Sequence, residues 1–451
     1  MDTKIFKAYD IRGIFPDELD EETAYKIGRA FVLFVNKNRI HSFELLKNEN
    51  PKIVVGMDNR FSSVALCNEL KRGITDQGGD VVDIGLSTTP MLYFATAKYG
   101  YDAGVNITAS HNPSQYNGFK LVSKGAVPIS GDTGIENIKN LVIKNSFPDV
   151  KKKGSIEKKH ILSNYVESII PDEDFYSTII VDTANSVSGI PINGMLKRTR
   201  LIHIFDNLDS GFPNHEPDPI KSENICALRK AVVAGAADLG VAFDGDGDRM
   251  VFVDERGHAI SSDLIVALMA SIILKKQIRQ KILCDIRCSN IVSETIKKWG
   301  GIPVISRVGH SFIKQIMRKE NVLFGGEFSG HYYYKKDYFC ESPFFVLFSI
   351  LREMKKTEKT LSDLMDPFKK YYHSEEINFK ITDSQQKIKE IKEKYKDGII
   401  NELDGLRIDF PEWWLLIRAS NTEPILRLII EAQTKFLMEE KIKEVSSFIQ
   451  Q

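Results

Sequence analysis

Lys52-Ile-Val-Val-Gly-Met-Asp58, followed by Asn59, Arg60 and Ser62, is an apolar run that ends in a carboxylate and passes into a polar turn. The same grammar returns at Thr178-Ile-Ile-Val-Asp182, followed by Thr183, Asn185 and Ser186, and at Lys281-Ile-Leu-Cys-Asp285, followed by Arg287, Ser289 and Asn290. Short runs without polar alternation read as strands buried on both faces, as in a parallel sheet. Apolar residues at three- and four-residue spacing follow, in Val64–Leu70 and Ile291–Ile296, and predict helices. Starts roughly 100–130 residues apart predict a threefold repeat of one α/β domain type, although any βα unit shares this look. Lys151-Lys-Lys-Gly154 reads as a linker and Asp254-Glu-Arg-Gly257 as a tight turn. From about Lys370 the character changes. A charged helix is expected over Ser384–Tyr395, strands over Trp413–Arg418 and Ile425–Ala432, and a last amphipathic helix over Leu437–Ile449. This reads as a smaller α+β domain.

Composition narrows the classes. The 451 residues exceed one ordinary core, and 42% hydrophobic with 27% charged residues is a globular balance, not a disordered or fibrous one. The 61 Lys+Arg equal the 61 Asp+Glu, which disfavours a nucleic-acid or anionic-membrane partner while leaving room for a local basic pocket. Five scattered cysteines (Cys67, Cys226, Cys284, Cys288, Cys340) show no zinc spacing and read as reduced thiols. The start MDTKIFKAYDIRG has no apolar signal core, and the run Leu264–Leu274 is too short to span a bilayer. A soluble cytoplasmic protein is expected.

Four stretches carry chemistry. Asp244-Gly-Asp-Gly-Asp248-Arg249 lies between the apolar runs Leu239–Phe243 and Met250–Val253. Alternate carboxylates share a side, and the glycines let the backbone curl so that three oxygens converge on one hard cation. An acidic surface turn is the bland alternative. Glu255 falls at position 12 from Asp244, as in an EF-hand, but position 6 is Arg249 where that loop needs glycine, and the flanks read as strands. Magnesium with an anionic, phosphate-bearing substrate is the preferred reading.

Asn106–Lys120 is a polar loop rigidified by Pro113 that can present one hydroxyl, Ser110 or Thr108. Ser110-His111 invites a hydrolase triad, but no G-x-S-x-G elbow is present. Gly325-Gly-Glu-Phe-Ser-Gly-His331 alternates Glu327, Ser329 and His331, a set suited to a polyhydroxylated ligand or equally to water. Arg418-Ala-Ser-Asn-Thr-Glu-Pro424, with Arg427 beyond, offers a guanidinium fork, Ser420, Asn421 and Thr422 for a phosphate, or forms a hairpin turn. A metal triad, an exposed hydroxyl, a sugar loop and a phosphate loop together suggest a cleft acting on a phosphosugar.

With these stretches stand Phe6-Lys-Ala-Tyr-Asp-Ile-Arg-Gly13, Pro213-Asn-His-Glu-Pro-Asp-Pro219 and Val308-Gly-His-Ser311. In their order along the chain and nearly end to end, the seven motifs resemble the α-D-phosphohexomutases, and within them the bacterial and archaeal phosphomannomutase/phosphoglucomutase branch. The resemblance implies three related α/β domains plus a smaller C-terminal α+β domain around a central cleft. The expected spans are 1–150 with a phosphoserine loop, 151–255 with a metal loop, 256–369 with a sugar loop, and 370–451 with a phosphate loop. It implies that Ser110 carries a phosphoryl group, with Mg²⁺ held by Asp244, Asp246, Asp248 and that phosphate. Lys120, Arg249 and His310 become candidates for proton transfer or charge stabilisation. Arg12, His111, Glu327, Ser329, His331, Arg418, Ser420, Asn421, Thr422 and Arg427 become candidates for binding substrate. The implied activity interconverts hexose 1- and 6-phosphates of mannose or glucose through a 1,6-bisphosphate, which also serves as activator, in a monomer or homodimer. A phosphoglucosamine mutase or a magnesium-dependent sugar-phosphate phosphatase are the alternatives. The chain departs from the pattern at Lys335–Ser342, where relatives often carry Asp or Asp-Gly, and at Phe328, where the dual-specificity branch often carries Met.

Overall fold

The computed structural model describes residues 2–41, 49–193, 195, 200–381, 383–419 and 425–451. They form two compact units. The first comprises residues 1–260, 309–324 and 329–362, and the second 261–308, 325–328 and 363–451.

In the first unit, Lys52–Met57 is a central strand with Asp80–Leu86 and Ala103–Ile107 parallel on its two sides. Tyr116–Ser123 folds back antiparallel on Ala103–Ile107, and Ile11–Ile14 pairs antiparallel beyond it. Ile156–Lys158 closes the other edge against Asp80–Leu86, so this sheet continues past the Lys151–Gly154 turn. Helices Glu21–His41, Ser63–Asp76 and Ile135–Lys144 bury Ile27, Phe31, Leu70 and Ile138 against Ile53, Val55 and Val105. A second sheet runs Ala259–Ile260, Met250–Asp254, Leu239–Phe243, Thr178–Asp182, Arg200–Ile204. The Asp254–Gly257 turn is where expected, with Gly257 at φ +79°.

In the second unit Lys281–Asp285 runs parallel to Ile302–Ser306, followed by the helix Asn290–Lys298. The C-terminal part is an antiparallel sheet in the order Tyr372–His373, Ile425–Ala432, Trp413–Ala419, Leu406–Asp409, Ile399–Asn401. Helices Ser384–Lys394 and Lys435–Gln450 cover it, with Ile391, Val445 and Ile449 buried on Leu415, Leu428 and Ile430. Both helices and both strands match the expected segments to within two residues. Among the described residues no helix is long and apolar enough to cross a membrane.

The repeated sequence grammar has one structural meaning. Asp58, Asp182 and Asp285 each end a buried parallel strand. Each accepts on Oδ1 the amide two residues on, at 3.0 Å from Arg60, 2.9 Å from Ala184 and 2.8 Å from Arg287. Such an Asx turn bends the chain out of the sheet and leaves the second carboxylate oxygen for a cation. The cations are Arg60, His215 and Arg287. His215 faces acceptors at both ring nitrogens, Asp182 Oδ2 at 3.0 Å and the Glu216 carbonyl at 2.8 Å. Burial alone would lower its pKa, but the Asp182 contact raises it above the ordinary histidine value.

A raised folded-state pKa stabilises the fold fully below the unfolded value of about 6.5 and ceases to do so as pH rises through the folded value. The difference in urea midpoint between the wild type and His215→Gln should therefore be largest on the acid side of about 6.5 and shrink as pH rises. Denaturant titrations across that range check it, and a difference that grows with pH would contradict it.

Candidate active site

Ser110 lies in the turn between Ala103–Ile107 and Tyr116–Ser123. Its φ of +52° is in the left-handed region, which costs a residue with a Cβ on the order of 1–2 kcal/mol. Its Oγ donates to Asp244 Oδ2 at 2.7 Å, and His111 Nδ1 stands 3.3 Å away. Thr108, the other hydroxyl the sequence left open, accepts the Ser110 amide on Oγ1 at 2.9 Å and so braces the turn. Ser110 is the one that faces the acids.

The acidic loop leaves the strand Leu239–Phe243 as a turn, not as an extended segment. The amides of Asp248 and Arg249 both donate to Asp244 Oδ1 at 3.1 Å. Gly247 has φ +71°, and a Cβ on Gly245 would lie 2.4 Å from the Ser110 carbonyl oxygen. One glycine is needed for conformation and the other for close approach. The result brings carboxylate oxygens of Asp244, Asp246 and Asp248 within 4.8 Å of one another, all buried.

Three buried carboxylates at that separation need cations. Lys120 Nζ donates to Asp246 Oδ2 at 2.7 Å and to Asp248 Oδ2 at 2.5 Å. Thr89 Oγ1 donates to Asp246, and Arg249 Nε lies 3.9 Å from Asp244 Oδ2. Arg249 Nε and Asp248 Oδ1 flank His331 Nε2 at 3.4 and 3.3 Å. Burial, reinforced by Asp248 and Asp246, drives the Asp244 carboxyl well above the usual range. At Asp248 burial is overcome by Lys120 and His331, which hold it well below. Burial works against the Lys120 ammonium too, yet the three aspartates hold its pKa far above the ordinary lysine value. Asp246 Oδ1 is buried with no hydrogen-bond partner among the described residues. An all-oxygen donor set with an orphaned buried oxygen fits a hard divalent cation.

Arg12 joins the rim, with Nη1 donating to Asn112 Oδ1 at 2.6 Å and a second contact to Asp10. Ser329 Oγ and His331 Nδ1 are 3.0 Å apart. His310 opens the helix His310–Glu320, packs on Tyr9 and stacks with His331 at 6.4 Å between ring centres. Burial, then Lys314 and Lys120, hold its pKa well below the histidine range. Burial, then Arg249, Arg12 and Lys120, do the same to His111. Both imidazoles are neutral at neutral pH.

The remaining expected residues fall in the second unit. Glu327 is buried 3.6 Å from Arg287, which grips Asp285 through Nε at 3.0 Å and Nη2 at 2.8 Å. The Phe328 amide donates to Asp285 Oδ2 at 2.9 Å, and its ring stacks on His373 at 4.9 Å. Phe328–Gly330 is a turn, so the strict one-sided alternation expected there does not form. Arg418 and Arg427 face each other directly on adjacent antiparallel strands. Arg418 Nη2 reaches Asp404 at 3.0 Å and Arg427 Nη1 reaches Glu376 at 3.1 Å, while both Nε atoms are buried without a partner among the described residues. Ser420, Asn421 and Thr422 lie outside the described residues.

Sequence reasoning missed Arg60, Thr89, Arg287 and the fully buried Lys314–Glu341 pair at 2.6 Å. The recurring Asp-x-Arg of Asp58–Arg60 and Asp285–Arg287 was the available signal for two of them. Glu341, noted only as a departure, has an oxygen within 4.8 Å of ligand atoms on Asp248 and His331.

Comparison with known proteins gives four family matches in order. They are phosphoglucomutase/phosphomannomutase alpha/beta/alpha domain I at residues 3–149, domain II at 160–257, domain III at 261–371 and the C-terminal domain at 376–446. The chain is 40% identical over 454 residues to a phosphomannomutase of Methanocaldococcus jannaschii, covering 99% of this chain and 98% of that one. It is 37% identical to a phosphomannomutase/phosphoglucomutase of Pseudomonas syringae, covering 96% and 92%. A crystal structure of a phosphoglucomutase/phosphomannomutase family protein from Burkholderia thailandensis superposes with a TM-score of 0.89 at 29% identity, covering 100% and 98%.

The Gly245 contact yields a direct expectation. Gly245→Ala must displace either the Ser110 carbonyl or the acidic turn, and a shift near 1 Å at reacting groups costs roughly a hundredfold in rate. Steady-state kcat of the folded variant checks this, and a kcat within threefold of wild type would refute it.

Proposed function

This chain belongs to the phosphoglucomutase/phosphomannomutase family and is a hexose-phosphate mutase, and from that premise we propose that Ser110 is its phosphoryl carrier. The observation that carries the reading is the Ser110 Oγ–Asp244 contact at 2.7 Å inside a buried acidic triad already bridged by Lys120. Phosphoryl transfer is mostly positioning and charge neutralisation, and this pocket supplies both. The phosphoryl group leaves Ser110 Oγ for a sugar hydroxyl, which gives up its proton to a neighbouring base while Ser110 Oγ takes one up to return as a hydroxyl. The hexose 1,6-bisphosphate so formed turns around and returns its other phosphoryl group to Ser110. The Lys120 ammonium and the Arg249 guanidinium face the charge that moves, and neutral His310 is the better proton acceptor. Mg²⁺ would be held by Asp244, Asp246, Asp248 and the phosphorylated Ser110, and would neutralise charge on the transferring group.

Glu327, Ser329 and His331 would hold sugar hydroxyls, with Arg12 and His111 at the rim. Arg418 and Arg427 would hold the phosphate distal to the reaction, with Ser420, Asn421 and Thr422. Two arginines directly opposite across a strand pair, each with a buried Nε that has no hydrogen-bond partner among the described residues, support that assignment. Mannose and glucose phosphates are the proposed substrates, hexose 1,6-bisphosphate the activator and the cytoplasm the site of action, in keeping with five unpaired cysteines.

After incubation with glucose 1,6-bisphosphate, intact mass should rise by one phosphoryl group in the wild type and stay unchanged in Ser110→Ala. Full mutase activity in Ser110→Ala, or steady release of inorganic phosphate in place of isomerisation, would overturn the reading. In the same coupled assay, kcat/KM for glucosamine 1-phosphate should lie below the values for mannose and glucose 1-phosphates.

Arg418 should retain the bisphosphate while it turns. A charged contact to phosphate contributes ~1.5–3 kcal/mol, so Arg418→Ala should speed escape roughly ten- to a hundredfold. The expected signs are a higher KM, free bisphosphate in the medium and a stronger need for added bisphosphate. Lost activity without released bisphosphate would rule out retention.

A further inference from the structure

Arg60 follows the first strand-end aspartate and is 2% exposed, with its guanidinium fully enclosed. Nε donates to Asp58 Oδ2 at 3.0 Å. Nη1 donates to the carbonyls of Pro113 at 2.7 Å and Tyr116 at 3.2 Å. Nη2 donates to the carbonyls of Ser110 and Asn112, each at 2.7 Å. A guanidinium has five N–H groups, and here all five are used, four of them on one loop. The Phe212 ring covers the group at 5.2 Å.

That loop is the one holding Ser110 in a left-handed conformation, with its carbonyl oxygen close against Gly245. Left-handed backbone at a serine persists only where the surroundings over-determine it. The internal braces are the Thr108 hydroxyl and the Asn112 amide bonded to the Ala109 carbonyl at 3.0 Å. Neither touches the Ser110 carbonyl, which is bonded to the same Cα that carries the Ser110 side chain. Among the described residues it is Arg60 Nη2 that donates to that carbonyl, through a fork that is itself held by Asp58.

We propose that Arg60 is a positioning residue for phosphoryl transfer: it locks the strained Ser110 turn so that Oγ stays aimed at the acidic triad. The proposal rests on Ser110 being the phosphoryl carrier. Arg60 touches neither sugar nor phosphate; it acts on the reaction through four backbone carbonyls. Lysine has three donors on a point charge and cannot serve five acceptors in one plane, so Arg60→Lys keeps the charge and loses the lock.

The test uses the full chain, loaded with glucose 1,6-bisphosphate and followed by rapid quench as phospho-Ser110 passes its group to glucose 1-phosphate. Intact mass of the loaded wild type reports on the underlying reading: no phosphoserine there fails that reading and leaves no basis for this one. With the wild type loaded, Arg60→Lys should transfer ten- to a hundredfold more slowly per phosphorylated molecule, with KM changed less than threefold. Amide exchange should quicken in residues 109–116 and remain unchanged in the strand Leu239–Phe243. Leu70→Ala, which opens a cavity in the core under the helix Ser63–Asp76 that follows Arg60, serves as the stability control. It should lower Tm while its transfer rate per phosphorylated molecule stays within twofold of wild type. If Arg60→Lys does not fold, Asp58→Asn takes its place, since it frees Nε but leaves the charge; it should slow transfer in the same direction. Transfer at the wild-type rate in the variant that folds, or equal slowing in Leu70→Ala, would overturn the proposal.

Discussion

A carboxylate buried at the end of a parallel strand cannot stay unpartnered, and three times in this chain that requirement sets the shape of a loop. Asp58, Asp182 and Asp285 first turn the backbone by accepting an amide, then bind a cation that reaches onward. Arg60 reaches the Ser110 turn. His215 reaches the Glu216 carbonyl, and the neighbouring Pro217 lies 3.4 Å from where a Cβ on Gly245 would stand. Arg287 reaches Glu327, and Asp285 itself holds the Phe328 amide. In the first and third segments a loop proposed to carry chemistry hangs from this device, and in the second the device holds the turn beside Gly245. Asn59, beside the first aspartate, ties two repeats together, donating to the Asn185 carbonyl at 2.9 Å and accepting the Val187 amide at 3.2 Å. The three α/β segments thus share the anchor and differ in what it holds.

The same constraint, tightened, makes the site. At about 4 Å and an effective dielectric near 20, each pair of unneutralised carboxylates repels by on the order of 4 kcal/mol. Lys120 bridges two members, Arg249 approaches the third, and two backbone amides solvate Asp244 from within its own turn. Asp244 and Asp248 are thereby pushed in opposite directions, one toward protonation and one held ionised. The hydroxyl of Ser110 sits against the first of them. Lys314 and Glu341 extend the alternation of charge outward behind His310, with Lys314 lying over the Tyr93 ring at 4.1 Å.

Much of this was legible in the sequence because it is local. The strands Thr178–Asp182 and Lys281–Asp285 are continuous apolar runs, and Asp244–Asp248 packs three ligands into five residues. Ser110 and Thr108 could not be separated by composition, since only the fold shows which hydroxyl is spent on backbone. Arg60 was quoted but unread. Its acceptors are carbonyls some fifty residues away, and carbonyls leave no mark in a sequence. Glu341 was equally opaque, because its partner Lys314 lies on a helix that precedes it and the pair gains meaning only by burial.

Phe328 shows how far side-chain identity can mislead about role. As the variable member of a sugar-binding motif it invites a reading in terms of hexose selection. Its ring instead stacks on His373, which meets Trp414 edge-on at 5.5 Å, and Arg407 lies over that indole at 3.8 Å. Arg407 in turn donates to the Ile286 carbonyl at 2.8 Å and to Asn290 at 2.6 Å, both in the turn that follows Asp285. The circuit closes on the aspartate that holds the Phe328 amide. Substituting another apolar side chain at this position changes how firmly the Glu327 loop is seated, since the ring is committed to packing. The polar members on either side, Glu327, Ser329 and His331, are the ones proposed above to hold sugar hydroxyls, and the anchored loop supports their geometry.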